Sequence, residues 1–272
     1  MVETTVLDSA TKLTAHHRGH VVIAASHGGV YPAYLAAAAG VTAIFLNNAG
    51  VGKDAAGIAG LEYLQHCGIP AAAVDHWSAR IGDGADTRDH GKLSHVNETA
   101  RLRGCMIGMS VTDAATLLAQ GTHAAVADAV KPEEARHELA NVGHRKVIGI
   151  DSVSLLEDAD ADALVVTASH GALLASSGTD SVRVQVPVIS FHDAGGGKDD
   201  AGYSRLPRLE ARGIAAVTVS ADSARIGDSR SCYDEGIISR ANAPARELGA
   251  RPGDSLKSFY ASLQLGGHTH RS

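Results

Sequence analysis

A motif that occurs twice in one chain restricts its possible folds more than composition can. WSARIGDG (Trp77–Gly84) returns as DSARIGDS (Asp222–Ser229), VVIAASHGG (Val21–Gly29) as LVVTASHGA (Leu164–Ala172), and AGVGKD (Ala49–Asp54) as AGGGKD (Ala194–Asp199). GKLSHVN (Gly91–Asn97) likewise answers to GIISRAN (Gly236–Asn242). His27 and His170 are 143 residues apart, while Lys53 and Lys198, and Arg80 and Arg225, are 145 apart. Two residues therefore enter between the first and second motifs, and the register then holds. A period this long, present twice, implies a duplicated domain rather than a solenoid. The expected units are residues 1–120 and 145–272, joined by 121–144, with the charged Lys131–Lys146 stretch reading as a joining helix and turn.

Each half reads alike at low resolution. A short strand ends near Asp8 or Asp151, and a buried strand (HVVIAAS or ALVVTAS) follows. Then come a helix, a strand (VTAIFLN or VPVISFH), the glycine turn, a second helix and a third strand (IPAAAVDH or IAAVTVS). Apolar runs free of polar alternation suit strands covered on both faces, as in a parallel sheet. The fold class expected is α/β: an internally duplicated chain of two pseudo-symmetric, Rossmann-like parallel-sheet units, with 21–104 and 164–249 forming the same βαβαβ unit. Apolar residues at 44% and aromatics at only 4% suit helices packed closely on such sheets.

In this arrangement three motifs follow carboxyl ends of strands, where open α/β sheets bind ligands. Glycines at Gly50, Gly52, Gly195 and Gly197 let backbone amides approach an anion, and Lys53 and Lys198 add charge. Such a lysine needs no internal partner. The alternative is that Asp54 and Asp199 cap the helices that follow. Arg80 and Arg225 suit a substrate carboxylate, or else bridge to Asp83 and Asp228 within their own loops. Ser26, Ser78 and Ser223 are candidate nucleophiles or donors, with His27, His170 and the two lysines as bases. The turn is no Walker loop, since Asn47 and Asp54 stand where that motif needs Gly and Ser/Thr. No nucleotide or flavin is therefore expected. Among 15 histidines there is no tight ligand spacing, so no metal is assigned; Asp75, His76, His90, His95 and the terminal His268–His270 pair keep a divalent ion as the alternative. His76 and His95 face Ala221 and Arg240 in the repeat, a difference that argues for one composite site, or one active and one degenerate site.

A net charge of −6 without basic tracts excludes nucleic acid as an expected partner. The uncharged Val30–Leu46 is short and interrupted by Pro32 and Gly40, so no membrane partner is expected. The start MVETTVLDSATK lacks the basic and apolar regions of a secretory signal, and Cys67, Cys105 and Cys232 read as reduced thiols, giving a cytoplasmic expectation. A homo-oligomer is compatible with all of this. Two families of repeated α/β units differ from the chain. Cyclic-amide hydrolases have three units, and the aspartate/glutamate racemase group has a cysteine in each half, whereas Cys67 and Cys232 occupy unrelated repeat positions. The function expected is an enzyme on a small anionic, carboxylate- or amide-bearing metabolite, hydrolysing a C–N bond. The alternatives are a lyase or isomerase using the same groups, a non-catalytic small-anion-binding protein, and an assembly subunit whose repeats serve packing.

Overall fold

The apolar runs form two sheets. In the structure, a computed structural model that describes residues 2–120, 129–133, 135–178 and 180–263, β1 (Thr4–Leu7), β2 (Val21–His27), β3 (Ala43–Asn47), β4 (Ala71–Val74) and β5 (Leu93–Val96) lie side by side in that order. The first four are parallel, and β5 pairs antiparallel with β4. The second sheet runs β11 (Ile238–Ala241), β10 (Ala215–Val219), β9 (Val188–His192), β8 (Leu164–His170), β7 (Arg145–Ile150), β6 (Arg136–Val142). Its four central strands are parallel and both edge strands antiparallel. The protein is thus α/β, with two mixed, mostly parallel sheets of Rossmann-like character.

Because side chains alternate across a strand, each sheet feeds two cores. Val22, Ala24, Ile44 and Leu46 pack under α1 (Val30–Ala39) and α2 (Gly60–His66). Val21, Ile23, Ala43 and Phe45 face the other way, towards α5 (Val111–Ala119). In the second sheet Val147, Leu164, Val166 and Val217 meet α7 (Ser229–Glu235) and α9 (Leu256–Ser262). Ile148, Val165, Ile189 and Ala216 meet α6 (Arg205–Glu210). A fifth, small core of Ala49, Ile81, Ala172, Ala194, Ala201 and Ile226 joins the two sheet units. No helix among the described residues is long and apolar enough to cross a membrane.

Three sequence expectations change. Lys131–Lys146 holds no helix among its described residues; its second part forms the β6–β7 hairpin. The GKLSHVN and GIISRAN stretches form the antiparallel strands β5 and β11, which the sequence reading left unassigned. Between β8 and β9 there is no helix among the described residues, so the two halves are not the same βαβαβ unit. The local chemistry explains this last difference. In α1 Gly29 is the N-cap, Pro32 sits in the first turn, where its missing N–H costs nothing, and Gly40 ends the helix at φ 72°. The later segment instead alternates buried Val182, Val184 and Val186 with exposed Arg183 and Gln185. That two-residue period lays an extended chain along the core.

Candidate functional site

The three repeated motifs lie at the carboxyl ends of their strands in both sheets, and the two edges face each other across a seam. Each glycine turn follows an Asx-type bend. Asn48 Oδ1 accepts from the Gly50 and His76 amides (both 3.1 Å), and Asp193 Oδ1 from those of Gly195 and Ala221 (both 2.9 Å). The turns are left-handed even at non-glycine residues: φ is 49° at Ala49, 54° at Asp199 and 52° at both Asp54 and Ala194. At their closest point the backbones touch, since a Cβ on Gly50 would lie 2.9 Å from Gly195 Cα. The Lys53 amide donates to Ala221 O and the Lys198 amide to His76 O, both at 2.8 Å. The amides of residues 49–53 and of 194–198 thus all have acceptors within the protein. No amide of these stretches is left for an anion, and the turns clasp the two halves together.

The charged side chains complete the clasp. Lys53 Nζ meets Glu235 at 2.7 Å and Lys198 Nζ meets Asp86 at 2.7 Å. Arg80 bonds Asp199 at 2.8 Å and Arg225 bonds Asp54 at 2.9 Å, each also holding its own loop through Asp83 or Asp228. Asp54 and Asp199 therefore receive arginines across the seam, while Asp83 and Asp228 cap α3 (Gly84–His90) and α7. Ser78 and Ser223 donate to the carbonyls of Asp75 and Ser220 and accept the Lys92 and Ile237 amides. None of Lys53, Lys198, Ser78, Ser223, Arg80 or Asp83 lines the cavity described next, nor do the four turn glycines.

That cavity, of about 750 Å³, does take in Ser26, His27, His170, Arg225 and Asp228. Its lining includes the start of α1 and the Arg225–Asp228 loop. On the other side of the seam the corresponding Arg80–Asp83 loop is covered. Ala175 donates to Gly82 O at 2.9 Å, the Ser176 amide bonds Asp8 at 2.6 Å, and a Cβ on Gly82 would lie 2.4 Å from Leu173 O. The segment that failed to become a helix fills that place.

Backbone donors fix the two cavity histidines. The Gly29 amide donates to His27 Nδ1 (3.2 Å) and the Ala172 amide to His170 Nδ1 (3.3 Å). An N–H can only donate, so each Nδ1 is bare and the proton of the neutral ring sits on Nε2. Among the described residues no hydrogen-bond partner is seen for either Nε2. Burial, reinforced by the neighbouring His192, pushes His27 down to about 4. Burial, then Arg205, His27 and His192, hold His170 well below the usual histidine value. His192 itself is fully engaged, accepting from Ala194 at 3.0 Å and bonding Ala224 O at 3.0 Å. Asn47 makes the same two contacts in the first half, with Ala49 and Ala79.

Sequence reasoning missed Arg205. Its repeat counterpart is Gly60, where a Cβ would clash with Gly29 O at 2.5 Å because α1 lies against it. The second half has no such helix, and a guanidinium occupies the room. The unlike pair Gly60/Arg205 was the available signal. Among the described residues no three His, Cys, Asp or Glu side chains gather as a metal ion would require, and His268–His270 lie outside them. No family model matches this sequence, and no curated protein or solved structure matches it either.

Proposed function

We propose that the two halves arose by duplication of one α/β unit and diverged until a single cavity served as the active site of a cytoplasmic enzyme. Its substrate is a small metabolite bearing a carboxylate and a carbonyl, and its reaction is hydrolysis of a C–N bond. The near-constant repeat offset and the matched left-handed turns support the duplication. Three buried free cysteines fit a reducing compartment. The observation that carries the catalytic reading is the pair of neutral imidazoles, His27 and His170, lining one cavity with Nε2–H groups unspent. A ring that protonates only near pH 4 is a poor base at neutral pH. It is a good fixed donor to a carbonyl oxygen as negative charge develops there. Water adds to that carbonyl carbon, the C–N bond breaks, and the nitrogen leaves with a proton from the water.

Ser26 Oγ accepts the Ala10 amide at 2.8 Å and has no described base beside it, which favours a second reading of binding without turnover. Ammonia or amine release from a panel of small carboxylate-bearing amides separates the two. The wild type is expected to release product, and His27→Phe, which keeps the ring but loses the donor, to be slower by about a hundredfold. Release unaffected by His27→Phe sinks the assigned role. Saturable binding of the amides without release leaves the carrier reading.

A further inference from the structure

Arg205 is 2% exposed, and burial, only partly offset by Asp180, lowers its pKa to about 10. Its Nη2 donates to Ala172 O at 2.8 Å, while Nε and Nη1 are buried and have no hydrogen-bond partner among the described residues. The Arg205 guanidinium lies over the Phe191 ring, with Cζ 4.6 Å from its centroid. Nη2 carries two hydrogens and spends one, so the hydrogens of one two-pronged edge, Nε with Nη2 or Nη1 with Nη2, remain unspent. Buried charges in folded proteins are ordinarily paired. The groups that perturb His170 alongside this cation, His27 and His192, are themselves imidazoles held neutral.

The same cavity is also lined by the start of α1, a ten-residue helix whose N-cap is Gly29. Its first turn carries no acidic residue and no capping side chain. The dipole at that N-terminus favours negative charge in the cavity. We propose that Arg205, in the field of the α1 N-terminus, forms an anion subsite that takes the carboxylate of a small monoanionic ligand. This deepens the reading above, which places the substrate in the same cavity.

Charge decides between carboxylate and phosphate. Among the described residues the cavity is lined by five carboxylate side chains and four cationic ones. Arg225 is already committed to Asp54 and Asp228. A monoanion neutralises Arg205, whereas a phosphate dianion brings surplus negative charge among five carboxylates. The planar, two-oxygen carboxylate also matches the unspent edge of the guanidinium.

The test is a melting-temperature titration with sodium acetate, sodium phosphate and sodium chloride at matched ionic strength. The proteins are the wild type, Arg205→Met and Arg205→Lys. Acetate is expected to stabilise the wild type saturably and beyond chloride. The response should vanish in Arg205→Met, and its half-saturation should move at least tenfold higher in Arg205→Lys, which keeps the charge but not the fork. Should Arg205→Met fail to fold, the lysine variant and the three wild-type titrations decide. Chloride equalling acetate, phosphate binding more tightly than acetate, or Arg205→Lys retaining the wild-type half-saturation overturns the proposal. Turnover is not read here. Absence of amide hydrolysis with the acetate response intact therefore sinks the catalytic reading alone, and loss of the acetate response sinks the subsite alone.

Discussion

Asp86→Ala is expected to lower the free energy of unfolding by about 2–3 kcal/mol. The residue is 4% exposed and its carboxylate holds three donors: Lys198 Nζ at 2.7 Å, Arg80 Nη2 at 3.0 Å and the Arg80 amide at 2.7 Å. Burial by itself would raise its pKa. Lys198, the amide and the Arg80 charge outweigh that and hold it below the usual carboxylate value. Removing Asp86 strands the Arg80 amide and the Lys198 ammonium at once, while the Arg80 guanidinium keeps Asp83 and Asp199. Lys198 and Arg80 retain some access to water, which brings the expected loss to or below the low end of the roughly 3–5 kcal/mol for a broken buried ion pair. Glu235, the partner of Lys53, is far more exposed, and Glu235→Ala should cost only a small fraction as much. Urea midpoints of the two variants check this. Equal losses, or a larger loss at Glu235, would show that the two lysines do not clasp the seam as described.

The second large effect is acid sensitivity. An unfolded chain protonates His27 near its ordinary value of 6.5, whereas the folded protein resists until about 4. The stability is complete above pH 6.5 and is lost as pH falls from 6.5 towards 4, because there the unfolded state binds more protons. The gap amounts to roughly 3 kcal/mol. His170 and His192, both lowered by burial, act in the same direction. Asp86, also lowered, adds its loss at still lower pH. Urea midpoints measured from pH 7.5 down to 4.5 should therefore fall steadily, and His27→Phe should flatten the slope. A midpoint unchanged over that interval would mean that the imidazoles are not held neutral.

The strands were legible because their runs are apolar on both faces and end at glycine-rich turns. Val21–His27 and Leu164–His170 are read almost to the residue. The convergence of the repeated motifs was legible too, since parallel strands of one sheet end on one edge. The partners of the lysines were not. A lysine after glycine looks the same whether it awaits a ligand or an acid more than a hundred residues away. Moreover, Asp86 and Glu235 occupy unlike repeat positions, opposite Ser231 and His90. The missing helix had a signal, in the two-residue alternation of Val182, Val184 and Val186, but the similarity of the halves overrode it. Arg205 followed from that absence: the space that α1 takes in one half becomes a buried cation in the other.

The central claim is that this inequality leaves one cavity with an anion-seeking guanidinium at its wall. The most direct measurement is a nuclear magnetic resonance titration of the arginine Nε–H groups with sodium acetate, the Arg205 signal being assigned by its absence in Arg205→Lys. Burial should make that signal slow to exchange and visible. The account predicts that it shifts saturably at acetate concentrations where the seam arginines Arg80 and Arg225 stay unmoved. An Arg205 signal that ignores acetate while the exposed arginines respond would contradict it.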